Sequence, residues 1–316
     1  MSESLIEVKN LKKYFKVASG QLHAVDDVSF SINKGETLGL VGESGCGKST
    51  IGRTILRLIP HTGGEVYYKG EDILKFSNAR MQDLRKEMQI IFQDPYSSLN
   101  PRKTIGQIIA EPLIINNVVG KKELNDRVAD LLYKGGVSLK LYNSYPHELD
   151  GGRRQRVGII RALALNPSFI VCDEPVSSLD VSIQAQILNL LQDLQESMGL
   201  TYLFISHDLS VVRHISNRII VMYLGQMVEF CDSKELFKNP QHPYTKALLS
   251  AVPIAKYDYK REHILLKGDV PSPINPKPGC RFALRCWLAN ERCFAESPEV
   301  KSIAQDHMVR CHLVGD

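Results

Sequence analysis

No stretch of this 316-residue sequence approaches the roughly 18 to 20 consecutive apolar residues a helix needs to cross a bilayer. The opening "MSESLIEVKN" lacks the basic head and apolar run of a targeting segment, so the expectation is a cytosolic protein. A large excess of either charge is also missing. Thirty-nine Lys and Arg face 35 Asp and Glu for a net of +4, too mild to indicate nucleic acid and equally suited to a protein resting on an anionic membrane surface. Cysteines number seven, an odd count, and a reducing compartment argues against a disulfide framework. There are no internal repeats. The length fits one large domain or two linked ones, with ample chain to bury a core.

Short apolar runs, "ETLGLV", "MQIIF", "SFIVCDE", "TYLFISH" and "RIIVMY", alternate with helical patterns such as "SIQAQILNLLQDLQESM". That alternation predicts an α/β fold with a mostly parallel sheet covered by helices. Residues 102–150 lack buried-strand runs and are rich in helix formers broken by Gly120, Gly135 and Gly136, the texture of a helical insert. The composition shifts near residue 237. "PSPINPKP" places four prolines in eight residues, which suits an extended connector. The expected division is 1–237, with a helical subdomain at about 95–165, and 238–316.

"GLVGESGCGKST" is a strand followed by Gly42, Glu43, Ser44, Gly45, Cys46, Gly47, Lys48, Ser49 and Thr50. This is the spacing of a P-loop, in which backbone N–H groups cradle a β-phosphate, Lys48 reaches the β and γ oxygens and Ser49 ligates Mg²⁺. Phosphoryl transfer also needs a metal carboxylate, a water-positioning group and a γ-phosphate partner. "FIVCDEP" ends an apolar strand in Asp173 and Glu174, where open α/β sheets place their ligands. Asp173 would hold Mg²⁺ through water, and Glu174 would orient and deprotonate the attacking water. His207, ending "TYLFISH", would bond the γ-phosphate, and Gln93 in "IIFQDP" joins the same ordered set.

The order "GESGCGKST", "FQDP", "ELDGGRRQRV", "IVCDEPVSSLD", "ISHD" resembles the ATPase subunits of ABC transporters over nearly the whole chain. The resemblance implies a P-loop NTPase fold of ABC type and two ATPs buried between two subunits, each held by one subunit's P-loop and the other's glycine-rich signature loop. It implies that Gln93 contacts Mg²⁺ and senses the permease, that Asp180 of "SSLD" crosses the dimer interface, and that Phe15 of "LKKYF" stacks on adenine, with Tyr14 as the alternative ring.

"QHPYTKALLSAVP" followed by "PSPINPKPGCRFALRC" is similar to the C-terminal extension of the oligopeptide, dipeptide and nickel importer branch, and the P-loop segment resembles the F-type of its two unlike ATPases. Cys280, Cys286, Cys293 and Cys311 are spaced C-x5-C-x6-C-x17-C. Four thiolates in a reducing compartment generally hold metal, and these gaps are wider than zinc knuckles. Some members of the branch carry a four-iron cluster here, so the resemblance implies [4Fe-4S], with zinc and unligated thiols as alternatives and a structural role in either metal case. Cys46, Cys172 and Cys231 are expected to be thiols without a role of their own.

The family's signature loop reads Leu-Ser-Gly-Gly-Gln, whereas here Leu149 is followed by Asp150, Gly151, Gly152 and Arg153. A carboxylate cannot donate to a γ-phosphate as serine does. At about 5 Å and an effective dielectric near 20 it costs roughly 3 kcal/mol per charge pair. Arg153 would offset this by bonding phosphate or by tying up Asp150 one helical turn away, and Asp150 is also a good N-cap.

Because that loop faces the partner's nucleotide, the expectation is a heterodimer with a second, unlike ATPase, in which this chain's own site is intact and the partner's is weakened. The resemblance adds two membrane permease subunits, an extracytoplasmic substrate-binding protein acting indirectly, no nucleic acid, and a peripheral position on the cytoplasmic face of the membrane. Peptide is the favoured substrate, with nickel or another small solute as the alternative. A soluble ABC ATPase acting on ribosomes or DNA usually has two cassettes or a long coiled-coil insertion, and neither is seen in this sequence. Glu174 and His207 argue against a nucleotide-binding regulator without turnover.

Overall fold

The structure is a computed structural model that describes residues 3–120, 122–252 and 263–315. Among the described residues the strands are β1 (Ser4–Val17), β2 (Gly20–Asn33), β3 (Thr37–Val41), β4 (Gly63–Tyr68), β5 (Glu71–Asp72), β6 (Met88–Ile91), β7 (Phe169–Asp173), β8 (Thr201–Ile205), β9 (Arg218–Tyr223), β10 (Gln226–Asp232), β11 (Lys301–Ala304) and β12 (His307–Val309). The five apolar runs singled out in the sequence are β3, β6, β7, β8 and β9. Among the described residues no helix is long and apolar enough to cross a membrane.

The chain divides into two compact units. The first comprises Glu3, Asn33–Glu36 and Lys75–Phe204. Its strands lie in the order β8-β7-β6, with β6 and β7 parallel. Every residue of β7 and β8 is buried, which is why both read as unbroken apolar runs, the mark of strands covered on both faces. The segment between β6 and β7 is helical, including Ile105–Ile115, Leu124–Lys134 and Gly151–Leu163. The helix Val181–Met198 starts where the Asp180 carboxylate accepts the Ile183 N–H at 3.0 Å, a cap that contributes about 1 kcal/mol. It stops at Gly199 in the left-handed region, whose N–H returns to the Gln195 carbonyl. Ile187, Leu191 and Leu194 fix its buried face.

The second unit comprises Ser4–Ile32, Thr37–Leu74 and the chain from Ile205 on. It contains a sheet ordered β2-β1-β4-β5, antiparallel where β1 meets β4 and β4 meets β5. A second set runs β11-β12-β10-β9-β3, with β3 and β9 parallel and the outer pairs antiparallel. The C-terminal strands thus continue a sheet that begins at the P-loop strand. The proline-rich connector lies along β2: Leu22 bridges Ile274, and the Asn275 N–H donates to the Gln21 carbonyl at 2.9 Å.

One buried knot ties the end of the chain to β10. Glu229, fully buried, accepts the N–H groups of Gln241 (2.8 Å) and His242 (2.9 Å) and pairs with His307 Nε2 at 2.9 Å. His242 caps the helix Pro243–Ser250, its Nδ1 accepting the Tyr244 N–H at 3.1 Å. Burial, aided by the charge of Lys246 and opposed by a hydrogen bond to the Arg310 backbone, holds its imidazole neutral with a pKa pushed down to about 3.

The unfolded chain therefore takes up this proton near pH 6.5 and the native protein only near 3. Stability contributed by His242 is complete above about 6.5 and declines as pH falls toward 3, by about 2 to 3 kcal/mol at pH 4.5. Urea unfolding at pH 7 and 4.5 should show His242→Asn losing less stability on acidification than the unsubstituted protein. Equal losses would contradict this assignment.

Candidate functional site

The candidate phosphate loop lies in the second unit. β3 is wholly buried and delivers the chain into the turn Gly42–Gly47, from which the helix Lys48–Ile55 departs. Gly47 has φ +103°, and a Cβ there would stand 2.0 Å from the Ala24 carbonyl oxygen, so only glycine closes the turn. Lys48 is buried and curls back into the loop, its Nζ donating to the carbonyls of Gly42 (2.8 Å) and Glu43 (3.0 Å). Ser49 and Thr50 follow on the first helical turn and are half-buried. Ser44 and Gly45 are exposed, and Cys46 is buried, which pushes its thiol pKa up against the opposing charge of Lys48.

In the same unit, Tyr14 donates its hydroxyl to Asp26 and stacks on His23 with centroids 4.0 Å apart. The neighbouring Phe15 is half-buried, with Lys13 Nζ 4.5 Å from its ring centroid. His207 is exposed just beyond β8, and Asp208 after it caps the helix Leu209–Ile215.

The first unit carries the carboxylates. Asp173 ends β7 and is 1% exposed. Glu174 leaves the strand with φ +49°, a left-handed backbone that a non-glycine residue adopts at a cost of roughly 1 to 2 kcal/mol. Its Oε2 accepts the Gln93 Nε2 at 2.9 Å. That contact joins residues 81 positions apart, from the loops after β6 and β7. Lys48 in a P-loop, and Asp173 and Glu174 ending a buried strand, are the groups from which phosphoryl-transfer sites are built.

Comparison with known proteins decides among such enzymes. The sequence matches the ABC transporter family over residues 25–177 and the oligopeptide/dipeptide transporter C-terminal region over 228–293. It is 53% identical to the oligopeptide transport ATP-binding protein AppF of Bacillus subtilis, with 98% of each chain covered. The chain belongs to the ABC transporter ATPase family. It is also 49% identical to the dipeptide transport ATP-binding protein DppF of Haemophilus influenzae, over 97% of this chain and 96% of that one. Among solved structures, the MJ0796 cassette dimer bound to ADP and Pi superposes with a TM-score of 0.66 at 30% identity, covering 72% of this chain and 98% of that one. An ABC cassette binds and hydrolyses ATP.

In the loop expected to be the signature loop, Asp150 caps the helix Gly151–Leu163, its Oδ1 accepting the Arg153 N–H at 2.7 Å. Arg153 Nε stands 3.4 Å from Asp150 Oδ2, and both side chains are 59% exposed. Of the two compensations open to Arg153 in the sequence, the structure has the pairing with Asp150. Gly152 faces the segment that follows Asp180: a Cβ there would approach Ile183 Cγ2 to 2.7 Å, so the signature turn packs on the start of that helix.

The four cysteines of the tail are free thiols in one neighbourhood. Burial is the main cause that raises the pKa values of Cys280 (to about 11), Cys286 and Cys311, and neighbouring thiols add to the rise. Backbone N–H groups of Phe282, of Leu288 and Ala289, and of Leu313 donate to the sulfurs of Cys280, Cys286 and Cys311 respectively. Among the described residues, no three of these sulfurs lie within 4.8 Å of one another. A single zinc with Zn–S near 2.3 Å would draw four sulfurs to about 3.8 Å apart.

Sequence reasoning missed two arrangements. Glu229, Cys231 and His307 bring ligand atoms within 4.8 Å of one another, all buried. The Glu229 oxygens there already take two backbone N–H groups and the His307 ring, so the group reads as the hydrogen-bonded knot. The other is a contact between the tail and the phosphate loop, Arg285 with Glu43. Neither has a local sequence signal.

Proposed function

We propose that this chain is the ATP-hydrolysing subunit of an importer for dipeptides or oligopeptides, working on the cytoplasmic face of the membrane with a second, unlike ATPase, two permease subunits and an extracytoplasmic binding protein. The observation that carries the substrate class is the oligopeptide/dipeptide transporter C-terminal region joined to the cassette in one chain. The relatives named for oligopeptide and dipeptide transport cover that extension along with the ATPase. In this reading residues 1–237 carry the nucleotide chemistry, the helical stretch at about 95–165 meets the permeases, and 238–316 form the extension.

In the chemical step Phe15 takes the adenine, since Tyr14 is committed to Asp26 and His23. The loop N–H groups and Lys48 hold the phosphates. Ser49, Gln93 and Asp173 supply the oxygens that suit Mg²⁺, which neutralises phosphate charge when bound. Glu174 accepts a proton from water as its oxygen attacks the γ-phosphorus. The bond to the β–γ bridging oxygen breaks, giving ADP and phosphate, while His207 donates to a γ oxygen. Asp180 lies toward the partner subunit. Asp150, Gly151, Gly152 and Arg153 face the partner's nucleotide, so this chain's own site is the competent one.

Cys280, Cys286, Cys293 and Cys311 would hold a [4Fe-4S] cluster. The residues fit: four thiols, with backbone N–H donors aimed at three of the sulfurs. When bound, the cluster supplies folding free energy to a proline-rich segment with little core of its own. Anaerobically purified protein should contain about four irons and four sulfides per chain. One zinc per chain, or no metal, would overturn this part. The importer reading is tested by purification from membranes. Permease subunits should accompany the chain, and the purified assembly should hydrolyse ATP faster when binding protein and peptide are added.

A further inference from the structure

Two phosphate-facing loops of this chain contain an acid. Asp150 is paired with Arg153. The other is Glu43, the only carboxylate in Gly42–Thr50, and its partner comes from 242 residues away. Arg285, its side chain only 9% exposed, donates Nη1 to both Glu43 oxygens, at 2.8 and 3.1 Å. The other end of Glu43 is held as well: its backbone N–H donates to the hydroxyl of fully buried Tyr244 at 3.0 Å.

Arg285 and Tyr244 rest on one aromatic cluster. Tyr223 lies 4.7 Å from Tyr244, and Phe282 lies 5.2 and 5.4 Å from those two rings. A turn away, Arg281 donates to the Leu224 carbonyl and pairs with Asp26, while the Gly225 N–H donates to the Cys46 carbonyl inside the phosphate loop at 2.9 Å. The extension thus meets the nucleotide loop at its backbone and at its one negative side chain.

We propose that Arg285 is a positioning residue for ATP: by pairing with Glu43 it neutralises the carboxylate inside the phosphate loop and, with Tyr244, fixes the loop backbone that receives the phosphates. The inference rests on the P-loop reading. Without Arg285, an unpaired carboxylate stands within a few residues of a polyanionic ligand in a partly buried setting, where like charges repel far more than in water.

The test is a double-mutant cycle on ATP affinity, read with a fluorescent ATP analogue, together with KM and kcat of the assembled transporter and melting temperatures. Arg285→Ala should weaken ATP binding and raise KM about tenfold with kcat within about twofold, and Arg285→Lys should recover part of the loss. Glu43→Gln should bind ATP about two to three times more tightly, and in that background Arg285→Ala should cost less than about twofold. Arg285→Gln, which keeps bulk and removes charge, carries the same expectation if Arg285→Ala lowers the melting temperature. Loss of ATP affinity by the same factor in both backgrounds marks a merely structural role and overturns the proposal, as does unchanged affinity in Arg285→Ala. If the unsubstituted protein binds no ATP, the P-loop reading falls first and takes this inference with it.

Discussion

Glu174→Gln should lower ATP turnover at this chain's own site by about a thousandfold, and that of the assembled transporter by about ten- to a hundredfold, while ATP binding persists. A positioned general base contributes about 10² to 10⁴ to such a step. Glu174 is the acid that the strand end and its left-handed backbone set beside Gln93. The substitution keeps shape and hydrogen bonding but removes the proton acceptor, so nucleotide should accumulate uncleaved. The check is steady-state phosphate release beside an equilibrium measurement of bound ATP. Turnover above a tenth of the unsubstituted rate would move the base elsewhere.

Asp150→Ser combined with Arg153→Gln should raise the ATPase rate of the purified chain alone by about ten- to a hundredfold. In a homodimer Asp150 enters both sites, and roughly 3 kcal/mol per charge pair at an effective dielectric near 20 sets the upper limit of the penalty. The Asp150–Arg153 pair is exposed on both sides. Exposed pairs are worth little, so Arg153 offsets only part of that cost once a phosphate faces the loop. A homodimer that is already fully active, and indifferent to the double change, would contradict the altered-site reading.

What the sequence disclosed follows the range of the interactions. β7 and β8 were legible because burial on both faces leaves a run with no polar interruption. The Asp150 cap and its pairing with Arg153 were legible because both act across a single helical turn. β1 and β4 pair antiparallel with buried Ile6, Val8, Val66 and Tyr68 alternating with polar or half-exposed residues, a pattern only a few positions long before the register breaks between Lys9 and Lys12, and they carried no comparable signal. β11 and β12 are four and three residues long and gain their place by pairing on an existing edge, which no window of their own sequence reports. Motif order put Gln93 and Glu174 in one functional set, but their hydrogen bond across 81 residues had no sequence signal. The Glu43–Arg285 pair had none either, because charge complementarity across 242 residues leaves no local pattern.

On this reading the chain's own nucleotide site drives import while its signature loop forms the weaker half of the partner's. The most direct measurement is peptide uptake into vesicles containing the complete transporter, with the catalytic glutamate replaced by glutamine in one ATPase at a time. Glu174→Gln in this chain should abolish uptake, and the matching change in the partner should leave most of it. Uptake that survives Glu174→Gln, or falls equally with either change, would contradict the account.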